Sequence, residues 1–391
     1  MEGESMSEWK EVKLGDVILH SCSGGTPKSN VSEYYDGEIP WLNTKEIDFN
    51  RIYQTERNIT QKGLDNSSAK WIDEKCVIIA MYGATAGKIA INMIPLTTNQ
   101  ACCNLKVDDR LADFRYIYYF LKKDFKFLAS LANGGAQQNL NSQIIKDYVI
   151  KLPSLSIQKE ISDLLWTIDA KIETNNKLNE KLEEMAQAIF KSWFVDFEPF
   201  KDKPFHETEL GMIPEGWDIY TIDEFCRVFT GKKNTNQAEK NGKYPFFSCA
   251  PNPLNSNDYL YDGYAIIIAG NGSYTGRTQL YNGKFDLYQR TYACVAKERS
   301  FDKKIVFFYL LMKQTFEKEK MGGTRGSSIP YIVMNDIAKQ YFCYNESVVS
   351  KFCNIVRPIL DMKHELQVES KRLASLRDTL LPRLMSGELT V

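Results

Sequence analysis

The stretch CVIIAMYGATAGK (Cys76–Lys88) returns later in the chain as YAIIIAGNGSYTGR (Tyr264–Arg277). Ala80, Gly83, Gly87 and Lys88 fall on Ala269, Gly272, Gly276 and Arg277 at one constant offset of about 189 residues. Gln100 falls on Gln289 and Asp147 on Asp336 without a gap. A period that long is no solenoid unit, which runs to roughly 20–50 residues. It marks a duplicated domain, and a duplicated domain usually does one job at two places.

Working outward, each copy opens on a tryptophan and a strand-like run, at Trp9–Asp16 and at Trp217–Glu224. A Gly-rich turn follows (Ser23–Lys28; Thr230–Asn234), then a Pro-aromatic strand (Ile39–Asn43; Tyr244–Ser248). Short β-branched and aromatic runs broken by Gly, Asn and Asp predict mostly β domains with a few helices. Helices are expected over Phe114–Leu131 and Asp302–Lys320, where Leu and aromatic residues recur at helical spacing.

After each domain the periodicity changes. Ile161, Leu165, Ile168, Ile172, Leu182, Ala186 and Ile189 form one stripe, interrupted by Asn175 and Asn179. Phe352, Ile355, Ile359, Met362, Leu366, Leu373, Leu376 and Leu380 form the other, interrupted by Glu369. A mean spacing of 3.5 residues is that of a coiled-coil seam. Each run is about 40 residues, so each helix would be roughly 60 Å long. Neither can bury its stripe alone, and the simplest partner for each is the other. The expected fold class is α+β: two mixed, mostly β domains joined by two long antiparallel helices. The expected divisions are 1–153, 154–198, 199–345 and 346–391. Pro358 should kink or restart the second helix near Arg357. Asn175 and Asn179 either fix the helix register or face solvent.

Composition bounds the rest. The chain has 391 residues, 43% hydrophobic and 25% charged, as in an ordinary soluble protein. No apolar run approaches the roughly 20 residues of a membrane span, and the polar, acidic N-terminus does not read as a secretory signal. Nine cysteines without CxxC spacing point to reduced thiols and the cytoplasm. A net charge of −1 argues against a strongly basic nucleic-acid binder, yet local clusters can still bind.

Catalytic motifs are missing. There is no phosphate-binding GxxxxGK[ST], and no Asn/Asp-Pro-Pro-aromatic run to hold a target base. Pro251–Leu254 comes nearest to the latter and lacks its second Pro and its aromatic. Gly270–Gly276 has the glycines of a dinucleotide turn, but no helix pattern follows it, so a tight β turn is the better reading. No metal-ligand spacing occurs.

The loops of both copies instead carry side chains suited to base edges. The first copy offers Thr85, Lys88, Asn99, Gln100, Gln137, Gln138, Asn139 and Asn141. The second offers Lys232, Lys233, Ser273, Tyr274, Arg277, Gln289, Arg290, Thr324, Arg325 and Ser327. Asn and Gln pair bidentately with adenine, and Arg with guanine. The same residue types also cap their own loop backbones. The copies agree in frame and differ in these loops, so they would recognise two different short sequences at a spacing that the helices set.

These features resemble the specificity (S) subunit of type I restriction–modification systems across nearly the whole chain. The segments that carry the resemblance are Trp9–Asp16, Leu152–Lys159, Phe190–Phe200, Gly211–Trp217 and Leu380–Leu389. The resemblance implies two target recognition domains, each binding half of a gapped DNA site. It implies two antiparallel helical regions around which two methylation subunits assemble, carrying S-adenosylmethionine. It further implies restriction subunits that use ATP and Mg²⁺, with no catalytic residue or cofactor on the present chain. Two departures stand out. Ser347–Lys351 has lost the pattern of Gln158-Lys159, and the second helix lacks a counterpart of Trp193-Phe194. Two alternatives stay open on the residues alone: a self-contained nuclease or methyltransferase with an unfamiliar active site, and a scaffold whose helices only assemble other proteins.

Overall fold

The computed structural model describes residues 9–133, 140–316 and 331–391. The chain divides into two compact units, Met1–Thr174 with Glu369–Val391, and Asn175–Val368.

In unit 1 the strands are β1 (Lys10–Lys13), β2 (Ile18–Ser23), β3 (Tyr35–Leu42), β4 (Arg51–Ile52), β5 (Arg57–Ile59), β6 (Trp71–Ile72), β7 (Val77–Ala80), β8 (Ile89–Asn92), β9 (Leu96–Thr98), β10 (Cys102–Val107) and β11 (Val149–Leu152). Its helices are α1 (Gln61–Asp65), α2 (Phe114–Lys123), α3 (Phe125–Asn133), α4 (Ser142–Asp147) and the first half of α5 (Leu155–Phe194). The main sheet has the order β2-β10-β7-β8-β4. A second sheet, β5-β3-β9-β6, and the pair β1-β11 complete the domain. The expected single helix from Phe114 is broken at Asp124, whose carboxylate accepts the Tyr148 hydroxyl at 2.6 Å. Cys102 and Cys103 lie buried on β10, as neighbouring strand residues.

Unit 2 repeats the plan. Its strands are β12 (Phe205–Thr208), β13 (Gly211–Pro214), β14 (Asp218–Thr221), β15 (Cys226–Thr230), β16 (Tyr244–Phe247), β17 (Leu254–Ser256), β18 (Tyr261–Ala269), β19 (Thr278–Leu287), β20 (Thr291–Ala296) and β21 (Tyr341–Tyr344). Its helices are α6 (Ile222–Phe225), α7 (Ile305–Phe316), α8 (Met334–Ala338) and the first half of α9 (Glu346–Ser386). The sheet order β15-β20-β18-β19-β16-β17 contains β2-β10-β7-β8 strand for strand. The same close approach recurs where each Gly-rich turn leaves its strand. A Cβ on Gly24 would lie 1.9 Å from the Thr98 carbonyl oxygen, and one on Gly231 would lie 1.7 Å from that of Leu287.

The two long helices pack antiparallel within each unit. In unit 1, Ile161 and Leu165 share a core with Leu381, Leu384 and Met385, and Asp169 pairs with Arg377 at 2.7 Å. In unit 2, Glu183 meets Lys363, and Phe190, Trp193 and Phe194 close around Phe352. Leu384 and Met385 thus stand where the second helix was expected to lack counterparts of Trp193 and Phe194. Val349, fully buried, stands in the place of Gln158. The Gln158 side chain accepts from Asp113 N at 2.9 Å and donates to Pro153 O at 2.9 Å, tying the start of α5 to its domain.

Along α5, Ile161, Leu165 and Ile168 are buried, and Ile172, Leu182 and Ile189 are partly so. The α9 seam needs correction. Phe352 is buried, and Ile359, Leu366, Leu373 and Leu380 are partly buried. Ile355, Met362 and Leu376 are about half exposed. The buried stripe is Val349, Phe352, Cys353, Val356 and Leu360, which turns Ile355 and Met362 onto the neighbouring face. Asn175 and Asn179 are buried, which rules out the solvent-facing reading. Pro358 does not interrupt α9. The residue is exposed, and the one backbone hydrogen bond it removes lies on the solvent side. The helix ends at Gly387, whose φ of +78° is the left-handed cap that glycine adopts without strain.

One buried carboxylate in each unit joins three elements. Asp169 accepts from the Tyr119 hydroxyl of α2 at 2.8 Å and from Arg377 of α9, with Lys122 of α2 at 3.7 Å. Burial lowers the Lys122 ammonium to about 8, against the opposing pull of Asp169. Glu183 accepts from the Tyr309 hydroxyl of α7 at 2.8 Å, from Lys313 at 2.7 Å and from Lys363 of α9. Burial by itself would raise the Glu183 carboxyl, but Lys363 and Lys313 outweigh it and hold it at about 2.

Two outcomes are expected in denaturant unfolding. Gly231→Ala should lose about 1–3 kcal/mol or more, because a backbone carbonyl must move to admit the methyl group. The Glu183 contribution is present above its unfolded value near 4.5 and is lost as pH falls towards about 2. Its full size is up to about 3 kcal/mol, so Glu183→Gln should destabilise at pH 7 and flatten the stability profile between pH 5 and 2.

Candidate nucleic-acid interface

The repeated stretch forms the same turn in both copies. In unit 1, Gly87 N donates to Ala80 O at 2.8 Å, Ala80 N to Lys88 O at 2.9 Å and Ala86 N to Gly83 O at 3.1 Å. In unit 2, Gly276 N donates to Ala269 O at 2.8 Å, Ala269 N to Arg277 O at 3.0 Å and Thr275 N to Gly272 O at 3.1 Å. The turn places Gly83, Gly87, Gly272 and Gly276 at φ of +86°, +81°, +82° and +84°, where a side chain would be strained. A strand follows each turn, β8 or β19, so Gly270–Gly276 is a hairpin turn and not a dinucleotide-binding one.

Other loops gather against each turn. In unit 1, Gly25 N donates to Thr98 O, Asn99 N to Leu42 O and Met81 N to Ala101 O. In unit 2, Gly270 N donates to Arg290 O, Gln289 N to Lys233 O and Ile332 N to Gly270 O. The Gly-rich turn, the repeated turn and the loop that ends on the shared glutamine therefore lie together at one edge of each domain.

Within these clusters the nominated residues separate into two groups. Several are held by their own fold. The Thr85 hydroxyl donates to Thr44 O at 2.8 Å, and Lys88 pairs with Asp48 at 2.7 Å. Asn99 is buried, with its side-chain oxygen accepting from Ala101 N at 3.1 Å. Asn141 caps α4 through Gln143 N and Ile144 N. Lys233 lies 2.7 Å from Asp286 and 3.1 Å from Asp258, and its hydrogen bond to Asp286 and their charges raise its ammonium above the ordinary lysine value. Arg277 donates to Pro251 O at 2.9 Å and Ala250 O at 2.6 Å, and burial lowers its guanidinium below the usual arginine value.

The others face solvent. Gln100, Lys232, Ser273, Tyr274, Gln289 and Arg290 are exposed. Gln100 accepts from the Thr26 hydroxyl, and Gln289 donates to the Asn234 side chain at 2.7 Å, so both are oriented without being covered. Gln137, Gln138, Asn139, Thr324, Arg325 and Ser327 lie outside the described residues. Sequence reasoning missed Tyr82, which is exposed on the turn of unit 1. The counterpart of Tyr82 in unit 2 is Asn271, so the repeat marks no aromatic at that column.

The comparisons with known proteins agree with this architecture. The family described as type I restriction modification DNA specificity domain matches residues 6–184 and 214–342, one match for each copy. The type I restriction enzyme MjaIX specificity subunit of Methanocaldococcus jannaschii is 31% identical, over the whole of this chain and 95% of that protein. The MjaVIII specificity subunit of the same organism is 26% identical, over 83% of this chain and 79% of that one. The crystal structure of a type I restriction–modification S subunit from M. genitalium shares the fold, with a TM-score of 0.63 over 98% of both chains at 16% identity. With both copies matched and a relative aligned from end to end, the chain belongs to the type I restriction–modification DNA specificity family.

Proposed function

We propose that this chain is the DNA sequence-recognition subunit of a type I restriction–modification enzyme and is not itself catalytic. Each loop cluster reads one half of a bipartite, gapped site, and α5 and α9 set the gap. The observation that supports this reading most is the pairing of identical turn frames with unlike exposed residues. Around the same hydrogen bonds, and beside one exposed glutamine that both share (Gln100, Gln289), unit 1 presents Tyr82, while unit 2 presents Ser273, Tyr274 and Arg290. A frame that is repeated and side chains that are not suit two different half-sites. The exposed Gln and Arg groups suit major-groove edges, and the exposed Lys28 and Lys232 suit the phosphate backbone.

Two methylation subunits dock along the helices and supply S-adenosylmethionine. Restriction subunits join them with ATP and Mg²⁺, and the assembly works in the cytoplasm. The helices carry surfaces suited to repeated docking. Leu164, Leu178 and Met185 of α5 are exposed at heptad spacing, as are Ile355, Met362 and Leu376 of α9. Leu164 corresponds to Ile355 and Met185 to Leu376 in the repeat, so one kind of partner finds a similar apolar face twice.

Selection of duplexes from a random pool by the chain assembled with methylation subunits should enrich one bipartite motif with two unlike halves. Arg290→Ala should relax one half only, by about 1–3 kcal/mol if its contact is bidentate, and Gln100→Ala should relax the other. Uniform weakening across all sequences would identify a phosphate contact instead. A contiguous motif would contradict the two-domain reading.

A further inference from the structure

The two copies treat one edge of their shared sheet differently. In unit 1, β4 covers the outer edge of β8 and runs parallel to it. Ile91 N donates to Asn50 O at 3.1 Å and Met93 N to Ile52 O at 2.8 Å. The Arg51 side chain of that strand is buried beneath the helix. Its guanidinium lies 3.7 Å from the centre of the Trp166 ring, its Nε lies 3.1 Å from Glu173, and it donates to Trp166 O at 3.0 Å.

In unit 2 the corresponding edge is Thr278–Asn282 of β19. The neighbouring β16 pairs with β19 only at Asp286 and Leu287. Among the described residues no strand covers Thr278–Asn282 on the outer side, and a cleft of about 240 Å³ opens there. It is lined by that edge together with Tyr309, Lys313, Lys363 and His364. The cradle has also changed sign. The repeat places Arg357 where unit 1 has Trp166, and His364 where it has Glu173. Lys313 and Lys363 share the single carboxylate of Glu183. An ammonium has three donors, so each lysine keeps capacity for a second acceptor. Glu183 and Asp361 are the carboxylates set against these cations among the described residues.

An uncovered sheet edge is a template for another strand, and unit 1 shows what such a strand looks like in this fold. We propose that the edge Thr278–Asn282 and its cleft dock an extended peptide segment of a partner protein, laid parallel to β19, with a carboxylate side chain where unit 1 holds Arg51. The inference does not rest on how DNA is read.

The probe is a nine-residue peptide copying Ile47–Thr55 with the Arg51→Glu change, titrated into the isotope-labelled full chain and followed by the backbone amide signals of Leu280 and Asn282. Saturable shifts are expected along Thr278–Asn282, with the unchanged Arg51 peptide binding at least about fivefold more weakly. Asn282→Pro, which removes an edge donor, should abolish the shifts. His364→Glu, at an exposed position, should reverse the preference between the two peptides. DNA half-site binding by both variants should stay within about twofold of the parent, since neither residue lies in a loop cluster. The proposal is overturned if the two peptides bind equally, if Asn282→Pro binds undiminished, or if inorganic phosphate alone reproduces the shifts and displaces the peptide.

Discussion

The structure depends on two buried carboxylates on one helix. Asp169 and Glu183 both belong to α5, and each is gripped by a tyrosine and a lysine from a domain helix and by a cation from α9. Breaking such a pair leaves a buried charge without its partner, which costs about 3–5 kcal/mol. Each carboxylate therefore fastens a recognition domain and the second helix to the first. The arrangement also has a polarity that the repeat lacks. Both acids come from α5 and both partner cations, Arg377 and Lys363, come from α9. Like helices paired together would set acid against acid or cation against cation, so the charges favour the α5–α9 pairing over its alternatives.

The duplication was legible because its signal is local. A strand, a turn with two glycines at positive φ and a second strand leave the same mark wherever they occur. The α9 seam was not legible, because Ile355 and Met362 on one face compete with Val356 and Leu360 on the next. Periodicity alone cannot choose between two apolar faces. What chose was Phe352 packing against Phe190 and Phe194, a contact across a long stretch of chain. The carboxylate network was hidden likewise, since nothing in the neighbourhood of Glu183 announces Lys363.

The candidate interface shows the same limit from another side. Lys88, Asn99 and Arg277 have the chemistry of base recognition, yet the fold uses them to hold loops in place. Lys88 and Arg277 occupy equivalent positions and take unlike partners, Asp48 in one copy and the carbonyls of Ala250 and Pro251 in the other. The residues that share an alignment column are thus largely frame. The residues left facing outward include those in which the copies differ, such as Tyr82, Tyr274 and Arg290, beside one glutamine that both share. The same contrast extends to the sheet edge, where β4 covers one copy and a cleft remains in the other.

The central claim of the proposed function is that the helices set the distance between two independent readings. It is tested most directly by inserting one heptad into each helix, between Thr174 and Asn175 and between Val368 and Glu369, which keeps every seam residue in phase. Seven residues add about 10.5 Å of helix, or about three base pairs at 3.4 Å each. The motif selected by the assembled complex should keep both half-sites and gain a gap longer by about that amount. An unchanged gap, or an altered half-site beside it, would contradict the account.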